Sequence, residues 1–275
     1  MVKFRLSSLV IFTSVMAYLI AAPGPVSWIA VVVLALGGFL VTGAANALNQ
    51  VLERDYDRLM KRTADRPLAS RRMEVSEAVM AAGFMSMFGI VLLAMFNPWT
   101  ALLGTLALIS YSFVYTPMKR ISPLAVMVGA VPGALPMMIG CVAAEGDITA
   151  LACALFGIQL LWQFPHFWAI AWLGHEDYTN AGFNLLPSKT GEPDEMAGWQ
   201  SFIYALMLIP VSLMPYFLGL TGLISAVLVL GLGLVYAWYS WNMYRECTRI
   251  AARKLMFSSF FYLPLALIIF LLDKM

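Results

Sequence analysis

Nine runs of about 20 mostly apolar residues, divided by short polar stretches, constrain this chain more than anything else in it. They lie near residues 8–22, 27–49, 76–95, 98–115, 123–143, 149–172, 199–218, 222–243 and 255–272. Each is about long enough to cross a bilayer, and in lipid a spanning segment must satisfy its own backbone, as a helix does. The chain is 61% hydrophobic and 12% charged, about half the charged share of a soluble domain. The expected fold is all-α: a polytopic membrane protein with about nine transmembrane helices surrounding a central cavity. Residues 1–275 read as one integral-membrane domain.

The net charge of +2 says little, but its placement says much. With the amino terminus in the cytoplasm and nine spans, every one of the 17 Lys and Arg except Lys274 falls on the cytoplasmic side. That is the bias of the positive-inside rule. The carboxyl terminus is then outside, and the polar loops 50–75, 116–122 and 173–198 share the cytoplasmic face of a bacterial inner membrane. Lys3 and Arg5 before an apolar run resemble a signal peptide. However, Ala21 to Pro25 leads straight into another apolar run, so an uncleaved first span is expected. Cys141, Cys153 and Cys247 show no CxxC spacing and read as structural thiols. Pro210 and Pro215 predict a kinked seventh span. Pro132 and Pro136, with Gly129, Gly133 and Gly140, predict a broken or closely packed fifth.

The densest charge follows the second run, from Asn46 to Leu68. If the helix continues there at about 100° per residue, Glu53, Asn46 and Asp57 fall at about 40°, 60° and 80° from Asn49. Two amides and two carboxylates thus share one face at a membrane boundary. Hard oxygen donors of this kind suit Mg²⁺, which keeps waters and a bound phosphate. The bases Arg58, Lys61, Arg62 and Arg66 suit the phosphate. A solvated topogenic segment explains the bases alone, but not acids gathered on one face.

Two further stretches join this one. Tyr115-Thr-Pro-Met-Lys-Arg-Ile-Ser122 is by itself an ordinary basic turn; beside an acidic site, Lys119 and Arg120 become diphosphate clamps. In the sixth span Gln159, Gln163 and His166 recur at helical spacing, so they must face a partner or cavity rather than lipid. Three readings of His166 stay open: ligand of an iron porphyrin, proton carrier, or partner of a backbone carbonyl. Glu176 and Asp177 form a second acidic pair. Loops 50–75 and 173–198 each pair acids with a Pro-Leu or Leu-Pro, a faint internal repeat.

Asn49-x-x-x-Glu53-x-Asp55-x-Asp57, followed by Lys61-Arg62-Thr63-x-x-Arg66-Pro67-Leu68, resembles the first acidic motif of the UbiA-type intramembrane prenyltransferases. Pro165-His166-Phe167-Trp168-Ala169, Asp177-Tyr178-x-x-Ala181-Gly182 and Leu185-Leu186-Pro187 resemble the heme-farnesylating branch of that superfamily. So does Tyr115-Thr116-Pro117-x-Lys119-Arg120, with Gly129 and Gly133-Ala134-Leu135-Pro136 after it. Many members have Asn-Asp where this chain has Asn49-Gln50, and Asp where it has Glu53. The Asp that opens a second acidic motif in quinone-forming relatives is replaced by Pro165 or His166, which favours the heme branch.

The resemblance implies transfer of a farnesyl group from farnesyl diphosphate to a vinyl group of heme B, with water addition, giving heme O and diphosphate. It implies Mg²⁺ on Asn49, Glu53, Asp57 and Asp177, and catalytic roles for Asp57, Arg66, Lys119 and His166. It implies substrate contacts from Asn46, Lys61, Arg62, Arg66, Tyr115, Lys119, Arg120, Gln163, His166, Trp168 and Tyr178. The partners expected are membrane lipid and a heme A synthase or terminal oxidase assembly, with no nucleic acid. One rival is a sister enzyme prenylating an aromatic acid or chlorophyllide. Another is a transporter, disfavoured because spans 1, 3 and 4 carry almost no polar residues.

Overall fold

The computed structural model describes residues 4–275, apart from the side chains of residues 5 and 6. Lys3 and the Arg5 side chain, counted among the cytoplasmic bases, lie outside the described residues. Among the described residues, ten helices organise the fold: α1 (Phe4–Ala21), α2 (Trp28–Asp57), α3 (Val75–Ala94), α4 (Pro98–Met118), α5 (Ala125–Glu145), α6 (Ala150–Leu173), α7 (His175–Asn180), α8 (Glu195–Phe217), α9 (Leu223–Glu246) and α10 (Arg249–Leu272). Eight of them are long and apolar enough to cross a membrane, and α1 contributes a shorter apolar helix over Ser7–Ala21. This is an integral, multi-pass membrane protein, all-α as the long apolar runs predict.

Helix starts follow local chemistry. The side chains of Ser27, Asn97, Thr149, Asp194 and Thr248 each accept a backbone N–H from the first turn of the helix they precede. These N-caps satisfy donors that the first turn leaves orphaned. Gly146 ends α5 in the left-handed conformation, φ 86°, as helix C-termini commonly do.

The chain divides into two compact units. The first comprises residues 1–148 and 176–184. In it α2 packs on α3, α1 on α5 and α2, and α4 on α5. The fifth span is not broken: α5 runs through Pro132 and Pro136 as one helix. Of the two expectations, close packing is the one met. A Cβ on Gly140 would sit 2.1 Å from the Ser14 carbonyl oxygen of α1, so only glycine lets the two backbones approach.

The second unit comprises residues 149–175 and 185–275. There α6 packs on α8 and α10, and α9 on α8 and α10. The seventh span is interrupted between the two prolines, where a kink is expected: an α-helical stretch ends at Ser212, and another begins at Met214. All three cysteines are free; Cys141 is buried, whereas Cys153 and Cys247 are exposed.

Candidate active site

In the first unit, α2 continues without a break into the charged stretch and ends only at Asp57. The face predicted from helical rotation is therefore real. Asn46, Asn49, Glu53 and Asp57 are all buried along it, at 2%, 0%, 3% and 1% exposure. Ionised carboxylates at such depth need partners, and each has a base. Lys119 Nζ lies 2.8 Å from Glu53 Oε1. Arg66 Nη1 lies 2.7 Å from both oxygens of Asp57.

The loop after α2 folds so that Arg66 can reach back. Thr63 Oγ1 donates to the Asp57 carbonyl at 2.9 Å, and Arg58 Nε donates to the Ala69 carbonyl at 2.9 Å. Met60, Leu68 and Ala69 bury as apolar plugs beneath the turns. Pro67 then offers its carbonyl to the backbone N–H groups of Arg72 and Met73.

Lys119 is placed by a different device. From Ser110 to Tyr115 the fourth span winds as a π-helix, a geometry often found at functional sites. After it, Thr116 Oγ1 accepts a bond from Asn49 Nδ2 at 3.1 Å and donates to the Tyr111 carbonyl at 2.9 Å. The Lys119 ammonium stands 4.5 Å over the Tyr115 ring and 5.9 Å from that of Phe183. Gly129 leaves room for Tyr115, since a Cβ there would come within 2.6 Å of the ring. The Asn184 N–H donates to the Lys119 carbonyl at 3.0 Å.

The remaining bases spread around this core. Arg62 donates to the Tyr178 hydroxyl at 3.0 Å. Arg120 stacks 4.0 Å over Tyr56 and donates to its hydroxyl and to the Leu52 carbonyl. Lys61 is exposed, and Asn46 donates to Ser7 Oγ at 3.4 Å. Loops 50–75 and 116–122 and residues 176–184 of the third loop thus meet within one unit. The structure brings Asn49, Glu53 and Asp57 together, but it does not group Asp177 with them. Asp177 is half-buried, and among the described residues no three or more His, Cys, Asp or Glu side chains are grouped to hold a metal.

The second unit holds the polar stripe of α6. Gln159, Gln163 and His166 are all buried. Gln163 Nε2 donates to the Gln159 carbonyl at 3.0 Å, and His166 Nδ1 lies 2.7 Å from Ser259 Oγ. Trp168 is packed among Phe164 and Tyr204, with centroids 5.5 Å and 5.3 Å away. Tyr56, Thr116, Phe183 and Ser259 are contacts that sequence reasoning missed. Glu53 and Lys119 lie 66 residues apart in the chain, and His166 and Ser259 93 apart, so no local spacing announces them.

Comparisons with known proteins give the family and the fold. The sequence pattern of the UbiA prenyltransferase family matches residues 10–264. The chain is 45% identical over 273 residues to a protoheme IX farnesyltransferase of Cytophaga hutchinsonii, covering 99% of this chain and 95% of that protein. It is 43% identical to one from Flavobacterium johnsoniae, covering 99% and 92%. A digeranylgeranylglyceryl phosphate synthase structure shares the fold with a TM-score of 0.81 at 15% identity, covering 99% of both chains. A UbiA homologue from Archaeoglobus fulgidus, solved with GPP and Mg²⁺, has a TM-score of 0.66 at 16% identity and covers 97% of both. The buried acids of α2, their paired bases and the sequence match over nearly the whole chain lead to one assignment: the chain belongs to the UbiA prenyltransferase family.

Proposed function

We propose that this chain transfers the farnesyl group of farnesyl diphosphate to a vinyl group of heme B, with addition of water, giving heme O and diphosphate. One structural observation carries the reading: two buried carboxylates on one helix face, each held by a base at 2.7–2.8 Å. Full-length similarity to protoheme IX farnesyltransferases supports the choice of substrates.

Asn49, Glu53 and Asp57 are hard oxygen donors that fit Mg²⁺, whereas Asp177 stands apart from them. A fold neighbour solved with GPP and Mg²⁺ supports the pairing of that metal with a prenyl diphosphate. When bound, Mg²⁺ stabilises the negative charge that gathers on the leaving diphosphate. Arg66 and Lys119 then turn from the carboxylates to the phosphate oxygens, supplying fixed positive charge where the anion develops. Lys61, Arg62 and Arg120 extend that positive rim, and Asn46, Tyr115 and Tyr178 line it. The allylic cation left behind is attacked by the terminal vinyl carbon. The cation formed next to the ring is captured by water, which loses a proton to become the hydroxyl. Gln163, His166 and Trp168 serve the porphyrin.

On this reading residues 1–275 work as one prenyltransferase domain of a bacterial cytoplasmic membrane. Loops 50–75, 116–122 and 173–198 face the cytoplasm with the amino terminus, and the carboxyl terminus lies outside. A heme A synthase or terminal oxidase assembly takes the product. The test supplies the purified chain with farnesyl diphosphate, Mg²⁺ and either heme B or 4-hydroxybenzoate, and separates products by mass. Heme O is the expected product. Prenylation of the phenolic acid alone would overturn the assignment.

A further inference from the structure

The His166 imidazole is held on several sides. Its ring stacks on Trp162, with centroids 4.9 Å apart and planes 15° apart, and meets Phe260 edge-on at 5.2 Å. Nδ1 lies 2.7 Å from Ser259 Oγ, and that same oxygen lies 2.5 Å from the Met256 carbonyl oxygen. A hydroxyl has one proton, and a carbonyl has none to give. At that separation the Ser259 hydroxyl must donate to Met256, because two oxygen lone pairs would otherwise repel. Ser259 Oγ can then only accept from His166, which places a proton on Nδ1. The neutral ring is fixed as a single tautomer, with its lone pair on Nε2.

No group among the described residues hydrogen-bonds Nε2, although His166 is only 8% exposed. The surroundings hold the arrangement still. Trp162 Nε1 donates to the Ser259 carbonyl at 2.9 Å, and the Tyr236 hydroxyl donates to the Trp162 carbonyl at 3.0 Å. Helices α6, α9 and α10 are thereby tied around one imidazole.

We propose that Ser259 is a positioning residue: by accepting the Nδ1 proton of His166 it presents Nε2 as an axial ligand to a porphyrin iron. The inference rests on the proposed function, in which the acceptor is heme B. A histidine that binds a metal through one nitrogen usually donates its other N–H to an oxygen, and that bond fixes the tautomer and strengthens the ligand. None of this needs the prenyl diphosphate, so binding can be separated from catalysis.

The experiment adds ferrous heme B alone to the full chain in detergent and records the iron–histidine stretch by resonance Raman, together with heme affinity. Wild type shows the band. In His166→Ala the band disappears and added imidazole restores it, which also shows that the variant is folded. Ser259→Ala keeps the band at lower frequency and weakens heme binding about 10- to 100-fold; Ser259→Thr returns both toward wild type. A Ser259→Ala spectrum identical to wild type overturns the positioning role. Heme uptake by wild type without the band overturns the inference and leaves the proposed function standing. No heme uptake at all brings down both.

Discussion

The two polar regions of this molecule solve the same problem in opposite ways. The end of α2 buries full charges and balances each with another charge: Glu53 with Lys119, Asp57 with Arg66. The stripe of α6 buries neutral groups and balances them with hydrogen bonds to a serine hydroxyl and a backbone carbonyl. Losing one member of a buried ion pair leaves the other charge stranded, at a cost of about 3–5 kcal/mol. Losing one neutral bond costs about 1–3 kcal/mol. The charged region is therefore the less tolerant, and it is the one whose partners are free to change. An anionic ligand can take both bases, and a cation can take both acids. The neutral region offers no such exchange, and on the proposed reading its part is to fix orientation.

The largest expected effect lies at the charged end. Asp57→Ala should cut farnesyl transfer by about 10²–10³-fold, and it should also lower stability because Arg66 is left without its partner. Adding Arg66→Ala should recover much of that stability and none of the turnover. Thermal unfolding and product assays on the two single variants and the double variant separate the effects. If the double variant regains activity, the pair is structural and the contrast between the two regions is lost.

A smaller effect is expected in the neutral region. Trp162→Phe keeps the ring face against His166 but removes the indole N–H that donates to Ser259. Stability should fall by about 1–3 kcal/mol, with affinity for farnesyl diphosphate unchanged. A weakened diphosphate affinity, measured by calorimetry, would mean that the neutral region does more than orient.

The smallest effect concerns Asp194, which lies outside both regions and caps α8. Burial raises its carboxyl pKa, but the N–H groups of Lys189 and Met196 and the Ser188 hydroxyl draw it below its ordinary value of 3.8. A carboxyl held low stabilises the fold above that ordinary value and loses the contribution as pH falls through its own lowered one. Hydrogen exchange in the first turn of α8 should therefore quicken below about pH 4 relative to pH 6, after correction for intrinsic rates. Asp194→Asn should flatten that dependence. Equal acid sensitivity in both proteins would assign the change to another group.

Much of the charged region was legible before any coordinates. Helical rotation alone placed Asn49, Glu53 and Asp57 on one face, because a helix entering the boundary keeps its period. The apolar runs announced the spans, and the prolines of the seventh span announced a kink where the helix is interrupted. Proline misled in one respect: Pro132 and Pro136 allow a broken fifth span, whereas close packing of α5 against α1 and α4 keeps it whole. The loop from Arg58 to Arg72 gave only its charges. That it doubles back to set Arg66 on Asp57 depends on Thr63, Met60 and Leu68 finding their places beneath it.

By itself, then, the sequence determined what apolar run length and helical period determine: the apolar spans and the acidic face of α2. Those properties belong to single helices and to their solvent, so a linear reading reaches them. Tertiary structure alone decided which base meets which acid, that a π-helical turn carries Lys119 to Glu53, and that Ser259 selects the tautomer of His166. Pairings of that kind join residues tens of positions apart. Distances of a few tenths of an ångström between packed helices set them, and no spacing in the chain encodes such distances.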